Sequence, residues 1–176
     1  VTKVSKVKVT GGSKEIAAGK KIQLKAKISP VKATNKKVKW TTSNKKYATV
    51  TSTGKVTVNK AGAGKKVTIK ATAVDGSKKA DSYTIRIRKH VVKKITLKAF
   101  GTLKNGKATT VKATVQTTGK DANKKLAWSS SNSKYATVTA KGKVTAKKAG
   151  KGKTVKITAK ATDGSGIKKT IKIKIK

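Results

Sequence analysis

The chain predicts an all-β fold made of two tandem β-sandwich domains. Three observations carry that reading. Short segments alternate Val or Ile with Lys at a period of two, turn-forming residues punctuate them, and much of the first half recurs 88 residues later. Alternation of this kind places apolar side chains on one face of a strand and charged ones on the other, as in a half-buried antiparallel sheet.

The strands follow in order. Lys6-Val7-Lys8-Val9 is the first, and the run from Ile22 to Ile28 keeps Ile22, Leu24, Ala26 and Ile28 on one face. Val67–Ala71 and Tyr83–Arg88 alternate in the same way. Ile171-Lys172-Ile173-Lys174-Ile175-Lys176 is the clearest of all. Gly11-Gly12, Ser52-Thr53-Gly54, Ala61-Gly62-Ala63-Gly64 and Asp75-Gly76 supply turn signals between them. Many short strands without a long 3.6-residue pattern indicate a sandwich.

The repeat sets the domain count. Asn35-Lys36-Lys37 returns as Asn123-Lys124-Lys125, Trp40 as Trp128, Tyr47-Ala48-Thr49-Val50 as Tyr135-Ala136-Thr137-Val138, and Asp75-Gly76 as Asp163-Gly164. From Asn35 to Gly76, 27 of 42 positions are identical to their counterparts. The offset is 87 upstream, where Ala26 and Ile28 match Ala113 and Val115, so the second repeat carries one extra residue within 117–121. A period this long is a whole domain used twice rather than a solenoid unit. The expected domains are residues 1–89 and 90–176.

Composition removes several classes of function. The 176 residues include no Cys, which excludes disulfides and Cys-based metal sites. No apolar run approaches the roughly 20 residues of a membrane-spanning helix. The opening Val1-Thr2-Lys3-Val4 has no apolar leader, and the chain reads as a monomeric piece of a larger parent. The net charge is +42, shared evenly between the halves: residues 1–89 hold 24 Lys and Arg against three acids, and residues 90–176 hold 23 against two.

These residues resemble the bacterial immunoglobulin-like group 2 family. Gly19-Lys20-Lys21-Ile22-Gln23-Leu24 matches its opening strand. Pro30, Ala33-Thr34-Asn35-Lys36-Lys37-Val38 and Trp40 match its next segment, followed by Thr42-Ser43-Asn44, Ala48-Thr49-Val50, Gly54-Lys55-Val56-Thr57 and Ala61-Gly62. The second copy has Trp128-Ser129-Ser130-Ser131-Asn132, Ala136-Thr137-Val138, Gly142-Lys143-Val144-Thr145-Ala146 and Ala149-Gly150. It departs at Thr117-Thr118-Gly119-Lys120, which lacks the Pro, and at Lys112. The resemblance implies two immunoglobulin-like sandwiches in an extracellular module at a bacterial surface or cell wall, with no shared catalytic site to carry over.

Chemistry-bearing residues are few. One His and five acids, Glu15, Asp75, Asp81, Asp121 and Asp163, make up the whole acid–base repertoire. Asp75 and Asp163 sit in equivalent Asp-Gly turns, where Asp serves local hydrogen bonding, and His90 falls at the domain junction. No catalytic residue, cofactor or metal site is expected, because calcium needs six to eight oxygen ligands. Glu15 has no counterpart for an internal Lys–Asn cross-link. Trp40 and Trp128 share the parity of Val38 and Leu126, so they are expected in the core rather than as sugar platforms.

What remains is the Lys surface. A charge run is ordinarily a solvated face, but +42 is a field that attracts polyanions by counterion release. Only Arg86 and Arg88 are Arg, so the attraction is point charge rather than forked recognition, and sequence-specific nucleic-acid binding is disfavoured. The expected diffuse contact set is Lys36, Lys37, Lys39, Lys65, Lys66, Lys124, Lys125, Lys147, Lys148, Lys151, Lys153, Lys172, Lys174 and Lys176. The first-ranked function is a non-catalytic surface module that associates with anionic cell-wall polymers such as teichoic acid and spaces or retains its parent. The alternatives are an adhesin fragment for host anionic glycans or matrix, and an inert solubilising spacer.

Overall fold

The expected alternating segments form strands in the computed structural model, which describes all residues 1–176, with the run from Ile22 to Ile28 divided between two. The first repeat contributes β1 (Lys6–Thr10), β2 (Glu15–Ala17), β3 (Lys21–Gln23), β4 (Lys25–Ser29), β5 (Val38–Thr42), β6 (Ala48–Val50), β7 (Lys55–Val58), β8 (Lys66–Ala73) and β9 (Ala80–Arg88). The second contributes β10 (Val92–Leu97), β11 (Thr102–Leu103), β12 (Ala108–Thr110), β13 (Ala113–Thr117), β14 (Leu126–Ser130), β15 (Ala136–Val138), β16 (Lys143–Ala146), β17 (Thr154–Ala161) and β18 (Lys168–Ile175). Every strand of the first set has its equivalent nine places later. A short 3-10 turn, Lys60–Gly62 or Lys148–Gly150, precedes the long hairpin of each.

In the first repeat one layer is a four-stranded sheet ordered β2-β9-β8-β5; β2 runs parallel to β9 and the other pairs are antiparallel. The other strands form a three-stranded sheet, β3-β7-β6, and a separate β1-β4 pair, linked through the chain between β3 and β4. Only Leu24 separates β3 from β4. Its N–H turns to the Gly54 carbonyl (2.9 Å), and the extended run changes partner there, from β7 to β1. Gly11-Gly12, read from sequence as a turn, instead carries the first strand from one layer to the other. A Cβ at Gly11 would lie 2.4 Å from the end of the Leu24 side chain, which would have to shift; the second repeat makes the same crossing with Ala99-Phe100 at these positions. The second repeat reproduces each of these pairings, with a register shift between Val92 and Lys94.

Between the layers lies an aliphatic core. Val7, Val9, Leu24, Val56, Val58, Val67, Ile69, Ile85 and Ile87 fill the first sandwich; Ile95, Val111, Val144, Val155, Ile157, Ile173 and Ile175 fill the second. These are the inward positions of the alternating strands, and β18 shows the pattern most plainly, with Ile171, Ile173 and Ile175 buried and Lys172 and Lys174 exposed. The protein is therefore all-β and immunoglobulin-like in architecture, the sheets of each copy closing on one core. By contact density the chain divides into a first unit, Val1–Val91 with Asp121–Asn123, and a second, Val92–Lys120 with Lys124–Lys176.

Candidate polyanion-binding surface

The strand alternation that buries Val and Ile turns Lys outward. Lys36 and Lys37 lie just before β5 and Lys39 on it; Lys65 lies just before β8 and Lys66 opens it; Lys124 and Lys125 lie before β14. Lys147 and Lys148 flank the start of the second 3-10 turn, Lys151 and Lys153 follow it, and Lys172, Lys174 and Lys176 belong to β18 and its end. All fourteen are exposed. In sequence these residues fall in short runs. The sheets group them differently. The register sets Lys66 opposite Arg86, and it sets Lys172 and Lys174 opposite Lys156 and Thr154 of β17. Lys153, whose carbonyl accepts the Ile175 N–H at 2.8 Å, precedes β17 at the parity of inward Val155 and so stands outside that row.

The carboxylates that could neutralise this surface are engaged in holding the fold. Asp75 accepts the N–H of Val4 (2.5 Å) and of Ser77 (3.0 Å). Hydrogen bonding to Ser77, then the Val4 N–H, holds its carboxyl down to about 2, against an ordinary 3.8. Asp163 repeats the arrangement with Val92 (2.7 Å) and Ser165 (2.9 Å), and it is wholly buried. The Asp-Gly turn thus does more than the local bonding expected of it: in each copy it pins the start of the first strand. Asp81 accepts the N–H of Val9 (2.7 Å) and of Ser82 (2.9 Å), which lower its pKa, with Lys8 3.9 Å away.

Glu15 and Asp121 both go to Arg88. Its guanidinium donates to Glu15 Oε1 at 2.5 Å and to Asp121 Oδ1 at 2.8 Å, while Asp121 Oδ2 accepts the Lys89 N–H at 2.9 Å. The Lys89 N–H and the Arg88 fork lower the Asp121 pKa, and the hydrogen bond to Asp121 raises that of Arg88. Asn123 is buried and donates to Ser13 Oγ and to the Glu15 carbonyl, both at 3.0 Å. His90 forms an isolated bridge with Ala122. No group of three or more His, Cys, Asp or Glu side chains is placed to hold a metal, and no helix is long and apolar enough to cross a membrane.

Trp40 and Trp128 differ from expectation. Both pack against their cores but are only partly buried, because β5 and β14 are edge strands of their sheets. The repeat thus yields the same shallow depression twice, about 450 Å³ beside Trp40 and about 610 Å³ beside Trp128. Each indole rests on a glycine in a left-handed conformation: a Cβ at Gly54 would come within 3.0 Å of it, and one at Gly142 within 2.9 Å. Alternation reported which way the indole points, but not that its strand ends the sheet.

Comparison with known proteins bears on the scaffold. Among solved structures, an intimin mutant of EHEC O157:H7 is similar at 26% identity, over 55% of this chain and 52% of that one, with a TM-score of 0.39. The surface layer protein SbsC, domains 1–6, is similar at 16% identity over 99% of this chain and 28% of that one, TM-score 0.41. Its domains 4 and 5 alone are similar at 17%, over 99% of both chains, TM-score 0.40. The chain thus spans about half of the first structure and little more than a quarter of the second. Comparison with curated proteins found no significant match. The sequence profile described as bacterial Ig-like domain (group 2) matches residues 3–82 and again 91–171. With both copies matched along nearly their full length, the chain belongs to the bacterial Ig-like domain, group 2, family.

Proposed function

We propose that this chain is a non-catalytic, extracellular module of a bacterial surface protein, whose Lys surface associates with anionic cell-wall polymers and so spaces or retains a larger parent. Membership of a family of bacterial Ig-like domains supports the surface setting. The observation that carries the ligand class is the disposition of charge: the cations face solvent, while the five carboxylates are bound to backbone N–H groups or to Arg88. A surface with so few free counter-charges draws its counterions from solution and exchanges them for a polymer that carries many. Lys rather than Arg means that this exchange reads charge density more than shape.

The test is binding of the 176-residue chain to purified Gram-positive cell walls, with and without their wall teichoic acid, across a salt series. Retention that requires the teichoic acid and falls steeply with salt is the expected result. Equal retention on stripped walls would sink the proposal. Retention by sulfated host glycans, with none by either wall preparation, would replace it with the adhesin reading.

A further inference from the structure

The two copies share a backbone but not an outer face. In the first unit, the outward positions of β8 are Lys66, Thr68, Lys70 and Thr72; in the second, the equivalent positions of β17 are Thr154, Lys156, Thr158 and Lys160. Lys and Thr have changed places. The partner strand changes with them: Thr84 and Ala80 of β9 correspond to Lys172 and Lys168 of β18. The registers show what that exchange does. In the first unit the outward pairs are Lys66 with Arg86, Thr68 with Thr84, Lys70 with Ser82 and Thr72 with Ala80, and Glu15 lies beside Arg86 on the next strand. In the second they are Thr154 with Lys174, Lys156 with Lys172, Thr158 with Thr170 and Lys160 with Lys168.

Two Lys–Lys rungs therefore face each other directly, spaced by a Thr–Thr rung whose hydroxyls hydrogen-bond at 2.8 Å, with Lys174 continuing the row. Directly opposed side chains start about 5 Å apart, and like charges there oppose sheet formation. Nothing nearby relieves the repulsion. Asp163 is the second unit's one acid, and it is wholly buried beneath the Val92 N–H. An anion seated between the two ammonium groups of a rung would relieve it. Successive outward positions are about 6.8 Å apart along a strand, so a linear polyanion lying along β17 and β18 meets one rung after another.

We infer that the β17–β18 face is the principal docking surface of the protein, and that its occupant is a linear poly(alditol phosphate) of the wall-polymer type. This rests on the polyanion reading above and sharpens it to one face. The chemistry of the face selects the occupant. Its outward side chains on β14, β17 and β18 are Lys, Thr, Ser and Ala, with no aromatic ring on which a base could stack and no Arg to read one. Paired ammonium groups take phosphate charge, and the flanking hydroxyls of Thr154, Thr158 and Thr170 suit a hydroxylated, unstacked chain.

The first unit supplies the variant that tests this. Lys156→Thr, Lys160→Thr, Lys168→Ala and Lys172→Thr together install the residues that the same fold already carries at the same positions. A charge-matched control replaces four exposed Lys of the second unit away from the rungs, Lys104, Lys107, Lys134 and Lys141, by Thr. Titration of each full chain with purified poly(glycerol phosphate) near physiological salt is expected to show at least about tenfold weaker binding for the rung variant than for the control, and a log–log salt slope shallower by roughly two to three units. Without ligand, the rung variant is expected to melt at a higher temperature than wild type at low salt, which also reports that it folds. Equal losses in rung variant and control overturn the inference while leaving the broader polyanion reading intact. No binding by wild type overturns both. Equal or tighter binding of a single-stranded oligonucleotide of matched charge overturns the choice of occupant.

Discussion

Asp75 shows how one side chain is spent on architecture in a protein that can spare few acids. Its carboxylate ties the turn between β8 and β9 to the first residues of the chain, through bonds that favour the charged form. The pH dependence follows from the depressed value. A group whose folded pKa lies near 2 against 3.8 contributes stability that is complete above pH 3.8 and is lost as pH falls towards about 2. Asp75→Asn keeps an acceptor oxygen but not the charge, so it is expected to be less stable than wild type at pH 7. The gap should close between pH about 4 and pH about 2. Urea midpoints of both proteins across that range check this, and a gap independent of pH would show that the charge does not matter. The pairing with Val4 was hidden from the sequence. An Asp-Gly dipeptide announces its turn, but a partner 71 residues away is chosen by the fold.

At the scale of elements, the 3-10 turns before β8 and β17 are close approaches rather than flexible joints. A Cβ at Gly62 would meet Ile87 Cδ1 at 2.5 Å and the Tyr47 carbonyl at 3.1 Å; at Gly150 it would meet Ile175 Cδ1 at 2.6 Å and the Tyr135 carbonyl at 2.7 Å. A side-chain end can move aside more easily than a carbonyl. Gly62→Ala and Gly150→Ala are each expected to cost about 1–3 kcal/mol, with Gly150→Ala the more costly, as read by chemical denaturation. The elements themselves were largely legible beforehand, because Val and Ile at period two identify a half-buried strand wherever they fall. Three things were not. Leu24 keeps perfect alternation while its strand changes partner, so periodicity carries no trace of the switch. Gly11-Gly12 looks like a reversal and is a crossing between layers. Trp40 has the parity of a core residue but sits on an edge, and edge position is a property of pairing, not of pattern. The same limit explains the rungs of the second unit: Lys156 and Lys172 are each visible as outward residues, and only the register of β17 on β18 makes them neighbours.

For the molecule as a whole, 47 cations against five acids set the balance between fold and field. Self-repulsion within a unit is screened beyond about 8 Å at physiological ionic strength and reaches much further in dilute buffer. Melting temperature is therefore expected to rise as NaCl is raised from about 20 mM to about 500 mM, and to rise further with a multivalent anion at equal ionic strength. A flat or falling trend by calorimetry would show that the charges are spaced widely enough to ignore one another. The shared inward residues of the two copies have another consequence, for folding. The inward code of β8, Val67, Ile69, Ala71 and Ala73, is the same as that of β17, Val155, Ile157, Ala159 and Ala161, so either strand satisfies either core. Only the outward residues tell them apart, and they argue for the wrong pairing: β17 laid on β9 would set Lys156 opposite Thr84 and Lys160 opposite Ala80, with no repulsive rung. Exchange of strands between neighbouring repeats is a characteristic failure of tandem domains. Here the correct partner is favoured by timing, since during synthesis β8 and β9 emerge together and can close their hairpin before β17 exists.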